Sequence, residues 1–264
     1  MLTDTHAHLD FPDFATDFPE VLSRAEAAGV TRFVSIGTTT ASSQRAVTLA
    51  ENNPQIFATV GIHPGNADEA PDDAVATIKT LAQNPRVVAL GEIGLDYHRL
   101  PGEESNDPRN LQYKARQAAI FEQQLDLAVE LGMNVVIHQR DCWDDTLQIL
   151  ERYTGKLRAV FHCFGESLPR ARHLLDLGHL VSFTGIVTFK NAKIIQEVAA
   201  ALPPGTFMVE TDCPYLAPVP FRGKRCEPAY TRNTADFIAS LRGISVEQLA
   251  AETEATANRF FRFS

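Results

Sequence analysis

Eight short apolar runs recur along the chain, and amphipathic helical stretches alternate with them from end to end. The runs are residues 2–8, 32–37, 57–62, 87–92, 134–138, 159–162, 180–184 and 207–211. They are rich in Val, Ile and Phe, and several are almost continuously apolar, such as Val87-Val88-Ala89-Leu90 and Val135-Val136-Ile137. Unbroken apolar runs of this length mark strands buried on both faces, as in parallel sheets covered by helices. Helical patterns are expected at residues 18–28, 74–83, 111–131, 144–153, 168–177, 192–202, 231–241 and 246–261. Gly29 and Gly132 close two of them, Asp72 and Asp73 open the second, and Ser245 caps the last. Eight such alternations predict an α/β chain folded as a (β/α)8 TIM barrel, with an open doubly wound sheet as the competing arrangement. No Pro-, Ser- or Gly-rich linker interrupts the pattern, so residues 1–264 are expected to form a single domain. The two longest irregular insertions, residues 97–110 and 212–230, each follow a strand, which places them on the face where barrels carry their active sites.

Charge and cysteine usage narrow the function classes. A formal net charge of -9 over 264 residues does not suit a protein that coats long nucleic acid. An anionic substrate must then be attracted locally, by a metal or a small basic cluster. The four cysteines (Cys142, Cys163, Cys213, Cys226) are dispersed, with no C-x-x-C pair, which suits reduced thiols in a cytoplasmic protein. No basic segment followed by an apolar stretch opens the chain, and no apolar run approaches the ~20 residues of a membrane span, so neither export nor a membrane partner is expected. Nothing in the sequence calls for an obligate protein partner.

Polar residues at the strand ends carry the chemistry. The first run contains His6 and His8, which project together only if the backbone is extended. The fourth ends in Glu92, the fifth in His138, the sixth in His162, and the eighth leads to Asp212. In a parallel barrel these ends share one face, so four imidazoles and two carboxylates surround one small volume. Unpaired burial of such groups costs a few kcal/mol each, a cost that metal ligation removes. The set exceeds one tetrahedral zinc site and suits two divalent ions about 3.5–4 Å apart. His6, His8 and Asp212 are assigned to one ion, His138 and His162 to the other, and Glu92 to a bridge. Mixed nitrogen and oxygen ligation admits Zn or Mn, and Mg less naturally.

Thr3-Asp4-Thr5-His6-Ala7-His8, Gly61-Ile62-His63-Pro64, Gly91-Glu92-Ile93-Gly94-Leu95-Asp96-Tyr97, Val136-Ile137-His138, Phe161-His162-Cys163-Phe164 and Glu210-Thr211-Asp212-Cys213-Pro214-Tyr215-Leu216, in this order and spacing, closely resemble the TatD family of metal-dependent hydrolases. Arg222-Gly223-Lys224-Arg225 and Glu227-Pro228 are similar to that family's loop after the last strand. The resemblance spans essentially the whole chain. It implies a metal barrel of the amidohydrolase type and deoxyribonuclease activity, often on 3′ ends, so DNA as single strands or 3′ ends is the expected partner. It also implies His6, His8, Glu92, His138, His162 and Asp212 as ligands. Gln139 after His138, Gly165 after Phe164, Cys213 and Cys226 depart from the family pattern. They touch the expected rim and bear on substrate preference.

For phosphodiester hydrolysis, Asp212 is the candidate general base toward a water acidified by the ions, with Glu92 the second catalytic carboxylate. His63, Arg140 and the loop cluster Arg222, Lys224 and Arg225 are candidate substrate contacts, the last three for flanking phosphates. Tyr97 or Tyr215 could stack a terminal base. Glu210, two residues before Asp212, is expected to orient a ligand. His98, His173 and His179 are taken as surface or structural residues. A different hydrolase on the same centre is the main alternative, either a metal-dependent esterase or amidohydrolase or a D-aminoacyl-tRNA deacylase. A non-catalytic metal-binding protein is a third. Related barrels of the ester- and amide-cleaving kind often bridge their ions with a carboxylated lysine at the fourth strand, where this chain has Glu92.

Overall fold

A computed structural model describes residues 1–104 and 107–263. Eight parallel strands stand in chain order, β1 (Leu2–Ala7), β2 (Val30–Ile36), β3 (Ile56–Val60), β4 (Val87–Asp96), β5 (Val135–Arg140), β6 (Ala159–Phe161), β7 (Leu180–Phe183) and β8 (Phe207–Val209). A bridge from Ala7 to Cys213 brings the last strand's end back to the first. The chain is a (β/α)8 barrel, and its outer ring is α1 (Phe18–Ala27), α2 (Thr40–Asn52), α3 (Ala74–Leu81), α4 (Pro108–Leu131), α5 (Trp143–Leu150), α6 (Leu168–Asp176), α7 (Lys193–Ala201) and α8 (Thr231–Arg242). A ninth helix, α9 (Val246–Phe261), follows.

Two apolar layers hold this arrangement. Residues alternate along the strands between them, as the two-residue side-chain period requires. Val34, Ile36, Val136, Val160, Leu180 and Met208 form one cluster with Phe260 and Phe261 of α9, so that helix plugs the end of the barrel where the strands begin. Phe33, Val135, Ile137, Phe161, Val181, Phe207 and Val209 face the surrounding helices. Polar ties from α9 fix the plug. Glu254 accepts from Thr3 Oγ1 and pairs with Arg32, and Asn134 donates to the Phe260 carbonyl at 2.6 Å. The opposite end, where the strands finish, is left to polar side chains.

The sequence reading contained no helix between the second and third strands, and α2 corrects it. Its buried face is Ser42, Ser43, Ala46, Val47 and Ala50, too small and polar to form an apolar stripe. Thr39 nevertheless caps it, accepting from the Ser42 N–H at 3.0 Å. The fourth strand also runs further than the apolar run, through Asp96 instead of ending at Glu92. Of the insertion at residues 97–110, positions 105 and 106 lie outside the described residues. No helix among the described residues is long and apolar enough to cross a membrane.

Candidate metal centre

The six strand-end residues converge. At the end of β1, His6 Nε2 lies 3.6 Å and His8 Nε2 3.3 Å from Asp212 Oδ1. The same two nitrogens lie 3.5 and 3.9 Å from Glu92 Oε2. The other oxygen of Glu92 faces a second set. Its Oε1 is 2.8 Å from His138 Nδ1 and 2.7 Å from His162 Nε2, and those nitrogens are 3.1 Å apart. One carboxylate thus stands between two groups of imidazole nitrogens, one oxygen to each.

Backbone pairing across the barrel seam sets these positions. The Asp212 N–H donates to the His6 carbonyl and the His8 N–H to the Cys213 carbonyl, both at 2.9 Å. Asp212 has a φ of +62°, which turns its side chain out of the strand path. Asp4, fully buried in β1, holds the same seam. Its carboxylate accepts from the Thr211 N–H and hydroxyl at 3.0 and 2.6 Å and from the His6 N–H at 3.3 Å. Burial lifts its pKa to about 7 despite those donors. The sequence reading gave Asp4 no role, although an acid in the middle of a buried strand is itself a signal.

His138 is oriented from behind by a hydrogen bond. Asp96 Oδ2 is 3.0 Å from His138 Nε2, leaving Nδ1 to face Glu92. Asp96 lies four residues past the end of the apolar run at Glu92, so the hydrophobic pattern does not single it out. Glu210 Oε1 accepts the Cys163 N–H at 2.7 Å and lies 3.8 Å from His162 Nδ1, on the far side of that ring from Glu92. His63 Nδ1 accepts the Gly65 N–H at 2.9 Å, which leaves the proton of the neutral ring on Nε2, 3.6 Å from Glu92 Oε1. His63 therefore groups with Glu92 and His138.

The electrostatics of the site favour positive charge. Burial alone would raise Glu92, yet the charges of His162, His63 and His6 and the His138 hydrogen bond hold it well below the usual carboxylate range. Asp212 is likewise lowered against burial, by the His8 hydrogen bond and the neighbouring imidazoles. Burial pushes His63 down to about 3, so it is neutral at physiological pH. His6 is lowered too, by burial and by His162.

The donor set passes a chemical test for divalent cations. His6 Nε2, the nitrogen turned toward Glu92 and Asp212, is buried without a hydrogen-bond partner, and such a group costs about 1–3 kcal/mol if nothing satisfies it. Atoms bound to one tetrahedral ion at about 2.0–2.2 Å stand roughly 3.3–3.6 Å apart. The separations among His6, His8, Asp212 and Glu92 Oε2 fall close to that range. Three overlapping triads (His6, His8, Asp212; His6, Glu92, His162; His63, Glu92, His138) each bring their donor atoms within 4.8 Å of one another.

The remaining candidates are placed less uniformly. Arg225 is committed to structure, pairing with both oxygens of Asp17 at 2.8 and 2.7 Å, while Arg24 joins Asp17 to Glu227. Arg222 and Lys224, in the same loop, are exposed and unpaired among the described residues. Arg140 is exposed at the end of β5, and its carbonyl accepts the Tyr97 N–H. Tyr97 is tied into packing, its hydroxyl donating to Asp145 at 2.9 Å and its ring under Lys114 Nζ at 4.2 Å. His179 is buried and structural, and His98 pairs with Asp141.

Comparison with known proteins gives the family. A family model described as TatD related DNase matches residues 3–262. YabD of Bacillus subtilis (strain 168), named an uncharacterized metal-dependent hydrolase, is 39% identical over 265 residues, covering 100% of both chains. A protein of Erwinia tasmaniensis named 3'-5' ssDNA/RNA exonuclease TatD is 34% identical, covering 98% of each. Among solved structures, YJJV, a TatD homologue from Escherichia coli K12, superposes with a TM-score of 0.90 at 28% identity, covering 100% of this chain and 98% of its own. With the family model and these relatives matching nearly end to end, the chain belongs to the TatD family of metal-dependent hydrolases.

Proposed function

We propose that this protein is a 3′–5′ exonuclease that hydrolyses the terminal phosphodiester of single-stranded DNA or RNA at a centre of two divalent ions. The observation that carries this reading is the split Glu92 carboxylate, with Oε2 toward His6, His8 and Asp212 and Oε1 toward His138 and His162. The naming of the Erwinia relative as an ssDNA/RNA exonuclease supports the choice of substrate. Bound there, divalent ions such as Mg, Mn or Zn would supply positive charge to the scissile phosphate and lower the pKa of water.

The chain's own residues do the rest. Asp212, ionised and beside His8, takes the proton of the attacking water. His63, neutral with its proton on Nε2, donates a hydrogen bond to a phosphate or leaving oxygen. Asp96 holds His138 through its Nε2 so that the ring does not turn away, and Glu210 gives His162 a carboxylate neighbour. Arg222 and Lys224 give the acidic molecule a local attraction for the strand. The free Cys142, Cys163, Cys213 and Cys226 suit work in the reducing cytoplasm.

The test is an end-label assay. Metal-free protein receives Mg²⁺, Mn²⁺, Zn²⁺ or Co²⁺ in turn and is given single-stranded DNA and RNA labelled at either end, a p-nitrophenyl ester and a D-aminoacyl-tRNA. Release of mononucleotides from the 3′ end is expected, falling about 10²–10⁴-fold in Asp212→Asn. Cleavage of the ester or the D-aminoacyl bond with oligonucleotides untouched would replace the nuclease reading by its alternative.

A further inference from the structure

The loops after β1 and β8 form an aromatic corner that the chemistry of the metal centre leaves unused. The Phe11 ring lies 4.7 Å from that of His8 and 23° from parallel, so it continues outward from the centre. Its backbone N–H donates to the His8 carbonyl, which fixes the turn. Beyond it stands Tyr215, with ring centroids 6.3 Å apart and planes at 81°. The Tyr215 N–H donates to the Asp212 carbonyl at 3.0 Å, tying this ring to the candidate base. Tyr215 is 55% exposed, and no other Phe, Tyr or Trp among the described residues is classed as exposed.

Charge in the loop that carries Tyr215 points to what covers it. Arg24 and Arg225 are saturated by Asp17 and Glu227, whereas Arg222 and Lys224 in the same loop are exposed without a carboxylate partner among the described residues. The Arg222 guanidinium rests 3.8 Å from the Phe189 ring centroid, which pins the loop after β8 against the loop after β7. An exposed ring that shares its loop with two cations lacking a carboxylate partner among the described residues, in a molecule of net charge -9, matches a ligand with a flat apolar face and an anionic backbone.

We propose that Tyr215, propped by Phe11, stacks the nucleobase at the cleaved end of a single strand, while Arg222 and Lys224 hold the phosphates behind it. The proposal rests on the exonuclease reading and adds its specificity. A base held in a duplex cannot offer its face to Tyr215, so the end must be unpaired, and because every base has a π-face the sequence is tolerated.

Two measurements test it, with wild type, Tyr215→Ala and Tyr215→Phe, exposed positions where folding is not at stake. Steady-state cleavage is compared on single strands ending in a normal or an abasic 3′ nucleotide. Tyr215→Ala should raise KM about 5- to 150-fold on the normal end with kcat nearly unchanged. Tyr215→Phe should match wild type, and all three should coincide on the abasic end. Binding is read separately from the fluorescence of a 3′-terminal 2-aminopurine behind an uncleavable phosphorothioate link, which should be quenched by wild type and Tyr215→Phe but not by Tyr215→Ala. Equal KM for wild type and Tyr215→Ala, equal losses on both ends, or no quenching by wild type would overturn the platform. If wild type cleaves but ignores Tyr215, the platform alone falls. If it neither binds nor cleaves any oligonucleotide, the exonuclease reading falls with it.

Discussion

Asp96 and His179 show how differently two buried polar contacts serve this protein. Asp96 holds the far nitrogen of His138, 3.0 Å away, and so decides which nitrogen faces Glu92. Partners of this kind orient ligand imidazoles, and losing one typically costs 10–100-fold in metal affinity. Asp96→Ala should therefore weaken binding of one ion by about that factor in a calorimetric titration, with the melting temperature of the metal-free protein little changed. His179 is structural. Its Nδ1 accepts the Ala159 N–H at 3.2 Å, and burial, with Arg158 nearby, pushes its pKa down to about 4. An unfolded chain protonates this ring near 6.5. Between about 6.5 and 4 the unfolded state binds more protons, so stability falls as the pH falls through that window, by up to about 1.4 kcal/mol per unit. His179→Gln removes this titration, and urea denaturation at pH 7 and 4.5 should show a smaller acid loss than in wild type. Both roles were hard to see in the sequence. A histidine or an aspartate carries no mark of its partner, and only the convergence of several strand ends separated the metal-centre candidates from packing residues.

At the scale of elements, β4 shows how backbone shape hides function from a sequence pattern. Gly91 and Gly94 look like the end of a strand, yet the strand continues through them to Asp96 because β5 packs too close for a side chain. Gly94 has a φ of +141°, and a Cβ there would lie 2.0 Å from the His138 carbonyl oxygen. Gly94→Ala should destabilise the fold by about 2–4 kcal/mol and displace His138, seen as a lower denaturation midpoint together with weakened metal binding. The other strands were legible because each is a dense apolar run bounded by turn residues. α2 was not, since its buried face is built of serine and alanine and its stability comes from packing and the Thr39 cap. The ends of β6 and β8 are one to two residues shorter than their apolar runs, which leaves His162 and Asp212 in the loops just beyond.

As a whole molecule, the barrel separates stability from chemistry along its axis. The end where strands begin is closed by α9, with Phe260 only 1% exposed among the inner strand residues. Phe260→Ala should cost about 3–5 kcal/mol in chemical denaturation while leaving metal stoichiometry intact in the folded fraction. The other end gathers imidazoles and carboxylates from five strands, and the net charge of -9 requires that any attraction for a phosphate be local. That much followed from the order of residues along the chain, since parallel strands must end on one face. The rim did not, because whether Arg225 meets a substrate or Asp17 depends on a loop fold that no periodicity encodes. The central claim is that Glu92 joins two cation sites, and counting ions tests it most directly. Metal-free protein equilibrated with excess Mn²⁺ or Zn²⁺, desalted and measured by elemental mass spectrometry should carry about two ions per chain, with at least one lost in Glu92→Gln. A wild-type protein that saturates at a single ion, or a Glu92→Gln variant that keeps both, would contradict the account.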